Sequence, residues 1–343
     1  YSFSWSIEIL QILNLVGLFA FNLIILTFFI LPSVLFFQIK IKEKILFSIF
    51  FLISILSLYI FGSYELNKNK NYLKTVNKKI NIKIVSPNFD LKYDLNLNQI
   101  EDRLKNLIKY SDPNRSKKTL FIWPEGAFSG YNYEEILIFK DLIKKNFNKN
   151  HYIIFGVNKL EKITGSYFNS LVLVNNKLKI IQQYNKQKLV PFGEFLPFEN
   201  LLNKFDLKKI TEGTGSFKKG SNQSNIKIDQ LNILPLICYE IIFTEFIQEA
   251  NFDTNLIINI SEDGWFGDTI GPNQHYAKAI FRAIEKGTYL LRSTNKGIRV
   301  ILDNKGVSVK KLHSYEAGNI EMEVPLIKSN KNKNDLIFFI LLI

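Results

Sequence analysis

Leu231-Asn232-Ile233-Leu234-Pro235-Leu236-Ile237-Cys238-Tyr239-Glu240 holds the single cysteine of a 343-residue chain. An apolar run of strand length stops there against a polar pair, Tyr239 and Glu240. Such a run, bounded in this way, reads as a buried strand. The carboxyl end of a strand in an open α/β sheet is where ligands enter, so a thiol at that point is placed to attack one. A core cysteine is the competing reading, because free cysteine packs as a small hydrophobe. This stretch alone leaves both open.

The surrounding chain repeats the pattern. Apolar strand-length runs fall at residues 80–86, 119–123, 152–157, 255–260, 288–292 and 298–302. Runs at 167–174 and 178–184 form a hairpin pattern across Asn175-Asn176. Between them Leu97, Ile100, Leu104, Leu107 and Ile108 recur at helical spacing, and further helices are predicted near 134–147, 243–250 and 273–286. Strands alternating with helices, with some hairpins, predict an α/β layered fold built on mixed sheet.

The first sixty or so residues are different in kind. Residues 12–37 carry no charge, and at 1.5 Å per residue they cross a bilayer core of ~30 Å. Residues 45–62 form a second apolar run long enough to span. Neither has the short apolar core and small-residue cleavage site of a signal peptide. The loop between them, Gln38-Ile39-Lys40-Ile41-Lys42-Glu43-Lys44, carries three lysines. By the positive-inside rule it faces the cytoplasm, and the second helix exits on the far side. The chain therefore divides into a transmembrane region at 1–63 and a soluble domain at 64–334 outside the cytoplasm. The apolar tail at 335–343 reads as the start of a cut-off helix. With Tyr1 rather than Met at its start, the sequence reads as a fragment of a larger membrane protein.

The formal charge of +13 comes mostly from lysine. No basic stripe interleaved with aromatics accompanies it, so nucleic acid is not an expected partner. One cysteine excludes an internal disulfide, and the scattered His151, His275 and His313 do not suggest a metal site. Neither metal nor cofactor is expected.

Two more polar residues follow strand-like runs as Cys238 does. Phe121-Ile122-Trp123-Pro124-Glu125-Gly126 ends in a carboxylate fixed between Pro and Gly, and Tyr184-Asn185-Lys186 presents a lysine before Val190-Pro191-Phe192-Gly193-Glu194. Taken singly, Glu125 is a helix cap, Lys186 a solvated charge and Cys238 a core filler. Together they suffice for acyl transfer. A carboxylate takes the thiol proton, an ammonium favours the thiolate, and the same ammonium stabilises a tetrahedral oxyanion.

In that order, Trp123-Pro124-Glu125, the Lys186 block and Ile237-Cys238-Tyr239-Glu240 resemble the Glu-Lys-Cys triad of the nitrilase superfamily. Apolar helices before the domain and an apolar tail after it make the chain similar to the apolipoprotein N-acyltransferase family. Segments 259–268, Gly271-Pro272-Asn273-Gln274-His275 and 290–298 resemble that family's further motifs. The resemblance implies an α/β fold, a nitrilase-like αββα sandwich following transmembrane helices. It implies Glu125 as base, Lys186 as oxyanion and thiolate stabiliser and Cys238 as nucleophile, with Glu194, Tyr239 and Glu240 in support. The implied donor is a phospholipid and the implied acceptor a diacylglyceryl-cysteine lipoprotein. The implied location is the bacterial inner membrane, multi-pass, with the catalytic domain periplasmic. Glu262 and Gly264 stand where that family usually has Asn and Ala, Ser86-Pro87-Asn88 replaces a more usual Gln-Gly-Asn, and Tyr93 stands near an expected Trp. The rival readings are a membrane-tethered amidase, in which water resolves the acyl-enzyme, and a lipoprotein-binding module without activity.

Phe192, Phe195, Leu196, Phe198, Leu201, Leu202, Phe205 and Leu207, edged by Lys204, Lys208 and Lys209, suit a segment lying in the headgroup layer. With Trp265 and Phe266 they form the expected substrate-binding lid. An ordinary flap packed on the domain core is the alternative.

Overall fold

The computed structural model describes residues 3–197, 216–221 and 225–329. Phe198, the rest of the expected lid up to Leu207 and the tail at 335–343 lie outside the described residues.

The chain opens with a short helix, α1 (Ile7–Leu10), and two long ones. These are α2 (Leu13–Ile30), prolonged by a 3-10 turn over Leu31–Phe36, and α3 (Ile41–Thr75). Both are long and apolar enough to cross a membrane. Leu26, Phe29, Phe50 and Ile53 are among the large side chains they expose, and apolar surface on that scale belongs against lipid or another protein. Gly62 lets α1 lie directly on α3: a Cβ there would fall 1.9 Å from the Glu8 carbonyl oxygen.

Helix α3 runs well past the predicted 45–62. Its apolar stretch ends there, but Glu65, Leu66, Lys68 and Lys70 are good helix formers. Asn69 is then gripped by Asn304 and Asp303, and Glu65 pairs with Lys305 at 2.6 Å. The sheet domain thus holds the polar end of a helix whose other end is oily.

One sheet contains β1 (Lys79–Ser86), β2 (Thr119–Ile122), β3 (His151–Leu160), β4 (Tyr167–Asn175), β5 (Ile180–Asn185) and β12 (Gly318–Pro325). The other contains β6 (Ile226–Ile228), β7 (Leu231–Ile237), β8 (Leu256–Glu262), β9 (Leu290–Asn295), β10 (Arg299–Leu302) and β11 (Ser308–Leu312). Both are six-stranded, in the orders β12-β1-β2-β3-β4-β5 and β11-β10-β9-β8-β7-β6. Each has a parallel trio, β1-β2-β3 or β7-β8-β9, flanked by antiparallel strands.

Side chains alternate between two apolar environments, which is why the strands read as continuous hydrophobic runs. Ile82, Ile84, Leu120 and Ile122 meet Ile233, Ile237, Ile258 and Ile260 between the sheets. Phe121, Trp123 and Phe155 point outward onto α4 (Leu97–Ser111), α5 (Tyr133–Ile136) and α6 (Lys140–Asn146). The predicted 134–147 helix is thus divided, with a 3-10 turn at Leu137–Phe139. On the far side Leu234, Leu236 and Ile257 pack on α7 (Glu245–Glu249), α8 (Gly271–Lys286) and the amino-terminal Leu10, Leu13, Phe21 and Ile25. The layers run α-β-β-α, with the apolar helices docked on one outer face.

Candidate active site

Each expected site residue follows the end of a strand. Pro124 cannot donate to a ladder and ends β2, and the chain then turns through Glu125 and Gly126, whose φ is 72°. On the neighbouring strand Gly156 makes room: a Cβ there would sit 2.9 Å from the Glu125 Cα. Lys186 follows β5 with only 1% of its side chain exposed. After β7, Cys238 adopts a φ of 48°, a left-handed conformation that non-glycine residues seldom take except where surrounding structure imposes it.

The ammonium of Lys186 donates to Glu194 Oε1 at 2.9 Å and lies 3.5 Å from Glu125 Oε1. Asn169 bridges the two acids, its Nδ2 donating to each at 2.7 Å. The backbone N–H of Glu262 donates to Glu125 Oε2 at 3.1 Å. Burial opposes the charge on Lys186, but Glu125 and Glu194 outweigh it and hold its pKa above the ordinary value. The thiol behaves otherwise than expected for a resting thiolate. Burial, reinforced by the negative charge of Glu125, pushes the Cys238 pKa up, and Lys186 offsets only part of the rise. The surroundings thus favour the protonated thiol over the thiolate.

Glu240 ties the lysine loop to the cysteine turn. Wholly buried, it accepts from Tyr184 Oη at 2.8 Å, Gln187 N at 2.6 Å, Lys188 N at 3.2 Å and Ile237 N at 2.8 Å. Burial raises its pKa to about 7 against those hydrogen bonds. Tyr239 faces a cavity of about 560 Å³ that is also lined by Glu125, Lys186, Glu194 and Cys238. Its walls are otherwise mainly apolar, including Phe128, Val157, Phe217 and Ile242. Of the expected lid, Trp265 and Phe266 line this cavity, whereas Phe192, which is exposed, and Phe195, which is half-buried, do not.

A family model described as carbon-nitrogen hydrolase matches residues 87–334. The chain belongs to the carbon-nitrogen hydrolase family. Over 282 residues it is 34% identical to a protein named apolipoprotein N-acyltransferase from Wigglesworthia glossinidia brevipalpis, covering 80% of this chain and 54% of that one. It is 32% identical over 256 residues to the protein of the same name from Rhizobium leguminosarum bv. trifolii (strain WSM2304), covering 71% and 47%. The chain thus spans about half the length of these relatives. The crystal structure of a carbon-nitrogen hydrolase from Helicobacter pylori G27 superposes with a TM-score of 0.53 at 14% identity, covering 72% of this chain and 89% of that one. The αββα sandwich is accordingly that of carbon-nitrogen hydrolases.

Within this hydrolase-family frame, two features were not legible as site residues in the sequence. Asn169 sits inside a hairpin strand, where its pairing partners appear only once β4 meets β5 and the Glu125 turn. The second is a polar set behind Cys238. Arg292 Nη2 grips Asp263 at 2.8 and 2.9 Å, and Ser261 Oγ donates to Asp263 at 2.7 Å. His275 Nδ1 lies 3.0 Å from Arg292 Nη2, and its Nε2 lies 3.1 Å from the Cys238 carbonyl. Burial and the Arg292 charge lower the His275 pKa despite Asp263. Nδ1 also lies 3.0 Å from Asp263 Oδ1, so the ring is held between the buried Asp263–Arg292 pair and the backbone of the strained Cys238. The motifs around 259–268, 271–275 and 290–298 gave the only sequence signal for this set.

Proposed function

We propose that Glu125, Lys186 and Cys238 transfer an acyl chain from a phospholipid to the α-amino group of a diacylglyceryl-cysteine lipoprotein. The observation that carries this reading is Lys186, buried and shared between Glu125 and Glu194 on the same apolar cavity as the thiol. An isolated buried ammonium is unfavourable; one held by two acids is a fixed positive charge aimed where an oxyanion forms.

In the first half-reaction the Cys238 sulfur forms a bond to the ester carbonyl carbon as its proton passes to Glu125. Lys186 stabilises the oxyanion. The ester C–O bond then breaks, and the lysophospholipid leaves with the proton from Glu125. In the second, the lipoprotein amine attacks the thioester and Glu125 takes the amine proton; the C–S bond then breaks and Glu125 returns that proton to the sulfur, giving an amide and the free thiol. Because burial favours the protonated sulfur, deprotonation accompanies attack, and Glu125 acts as a general base. The apolar walls suit an acyl chain, and the apolar helices α2 and α3 place the domain at a bilayer. The lysines at positions 40, 42 and 44 support a cytoplasmic loop between those helices, with the domain on the periplasmic side of the bacterial inner membrane.

The test is to incubate the full-length protein with phospholipid labelled in its acyl chain and look for a thioester on Cys238. Label should appear there, vanish in Cys238→Ala, and chase onto an added diacylglyceryl-cysteine peptide. No label from phospholipid, with acyl-enzyme formed from a simple amide, would sink the reading in favour of an amidase.

A further inference from the structure

Helix α8 presents Gly271, Gln274, His275 and Lys278 to the cavity, the spacing of one helical face. Its other side carries Ala279, Ile280, Phe281, Ala283 and Ile284 into the cluster formed with α2. Phe281 meets Phe21 edge-on at 6.0 Å, and Asn14 Nδ2 donates to the Ile284 carbonyl at 2.8 Å. The helix therefore leads from the cysteine, whose carbonyl His275 touches, toward the apolar helices.

Lys278 stands one turn along that path, ~4.5 Å of rise beyond His275. Among the described residues, the cations of the lining are Lys186 and Lys278. Lys186 is committed to Glu125 and Glu194. The acids of the lining, Glu125, Glu194 and Glu262, stand at the ends of other strands and turns. An ester carbonyl seated at the sulfur thus has carboxylates around the reacting end and an ammonium one helical turn toward the apolar helices. A glycerophospholipid has its phosphate a few bonds from the scissile ester, on the side away from the acyl chain.

We infer that Lys278 contacts the phosphodiester of the acyl donor and so orients the glycerol backbone over Cys238. This rests on the acyl-transfer reading above. Burial, with repulsion from Arg282, lowers the Lys278 pKa to about 8, and an anion bound beside it favours the charged form. Lys278 is a donor-binding residue in this assignment, with no part in proton transfer.

The experiment measures the rate of thioester formation on Cys238 in the full-length protein in detergent micelles, for wild type, Lys278→Met and Lys278→Arg. Two donors carry the same acyl chain: a diacylglycerophospholipid, and the p-nitrophenyl ester, which has no phosphate. Lys278→Met should lower the rate from phospholipid about tenfold, the scale of one charge-assisted contact. It should leave the rate from the p-nitrophenyl ester within twofold, and Lys278→Arg should retain most of the phospholipid rate. Equal losses on both donors would assign Lys278 a merely structural role, and no loss on either would remove the contact; both overturn the proposal. A wild-type protein that takes no acyl chain from phospholipid would overturn the acyl-transfer reading and this assignment with it. A working wild type with an indifferent Lys278→Met overturns this assignment alone.

Discussion

Two buried charged sets flank Cys238, and they are built on different principles. Behind the cysteine, Asp263 and Arg292 pair one charge with one, both are fully enclosed, and Ser261 and His275 add hydrogen bonds to the pair. In front, Lys186 is shared between two acids, Glu125 and Glu194, which also share a single amide from Asn169. That set opens on the cavity and carries more negative than positive charge. The closed set holds a backbone in place, through the His275 ring against the Cys238 carbonyl. The open one keeps an acid beside a protonated thiol and an ammonium beside the position of an oxyanion, so it has capacity left for a reaction. Burial of charge does not distinguish scaffold from catalyst; incomplete compensation facing a cavity does.

The contrast breaks most readily at Lys186. Lys186→Met should reduce acyl-enzyme formation by roughly 10²–10³-fold, the usual consequence of removing an oxyanion donor. It should also lower the Cys238 reactivity toward iodoacetamide, because the neutral thiol then faces Glu125 and Glu194 without a cation. Undiminished alkylation together with undiminished turnover would mean that the front set is only a scaffold.

At the closed set the effect should fall on stability first. Asp263→Asn leaves Arg292 buried without its anion, and breaking such a pair typically destabilises by ~3–5 kcal/mol. The expected outcome is a thermal midpoint lowered by several degrees, with the residual folded protein still forming acyl-enzyme. A variant of unchanged midpoint but no activity would reverse the roles assigned to the two sets.

Asn169→Ala should act more mildly. It removes the bridge between Glu125 and Glu194 while both acids keep Lys186, and an unsatisfied buried acceptor costs ~1–3 kcal/mol. Acyl-enzyme formation should fall about tenfold, and Asn169→Asp should be worse than Asn169→Ala because it adds a third acid. If the aspartate variant is the more active, the amide does not separate the acids.

How much of this was readable before folding depends on where the information sits. The strand ends were legible because Pro124-Glu125-Gly126 and Cys238 each interrupt an apolar run and Lys186 follows a strand-like one, and punctuation of that kind is local. Asn169 was not: it lies between Phe168 and Ser170 in a strand whose facing residues come from elsewhere in the chain. β12 was also missed. Asn319, Glu321 and Glu323 lower its apolar content, although Ile320, Met322 and Val324 between them keep the alternation of a strand, and it pairs with β1 along eight residues of register. Asn81 and Lys83 satisfy Glu321 there, and Ile320 and Val324 reach the core. β11, with Lys310 and Lys311 exposed at a sheet edge, gave no hydrophobic signal at all. The reach of α3 to Thr75 was hidden for a related reason, since hydropathy marks only the part of a helix that meets lipid.

Glu262 offers the finest test of the comparison, because it lies at the junction of the two sets. Its carboxyl accepts from Gly264 N at 2.9 Å and Asn295 Nδ2 at 2.8 Å, and its backbone N–H holds Glu125. Burial raises its pKa from 4.5 to about 8, with repulsion from Glu125 and Asp263 adding to the rise, while its two hydrogen bonds oppose it. Arg103 attracts it from outside the sets. Across the interval from about 4.5 to about 8 the folded protein keeps a proton that the unfolded chain has lost. Stability therefore declines as pH rises through that interval and levels off above it. Glu262→Gln keeps the shape and removes the titration. The thermal midpoints of variant and wild type should nearly coincide at pH 5 and separate by pH 8.5, with the variant higher by several degrees. Glu240 titrates in both proteins and cancels in the difference. Parallel curves across that range would show that Glu262 is already ionised and compensated, which would move it from the open set to the closed one.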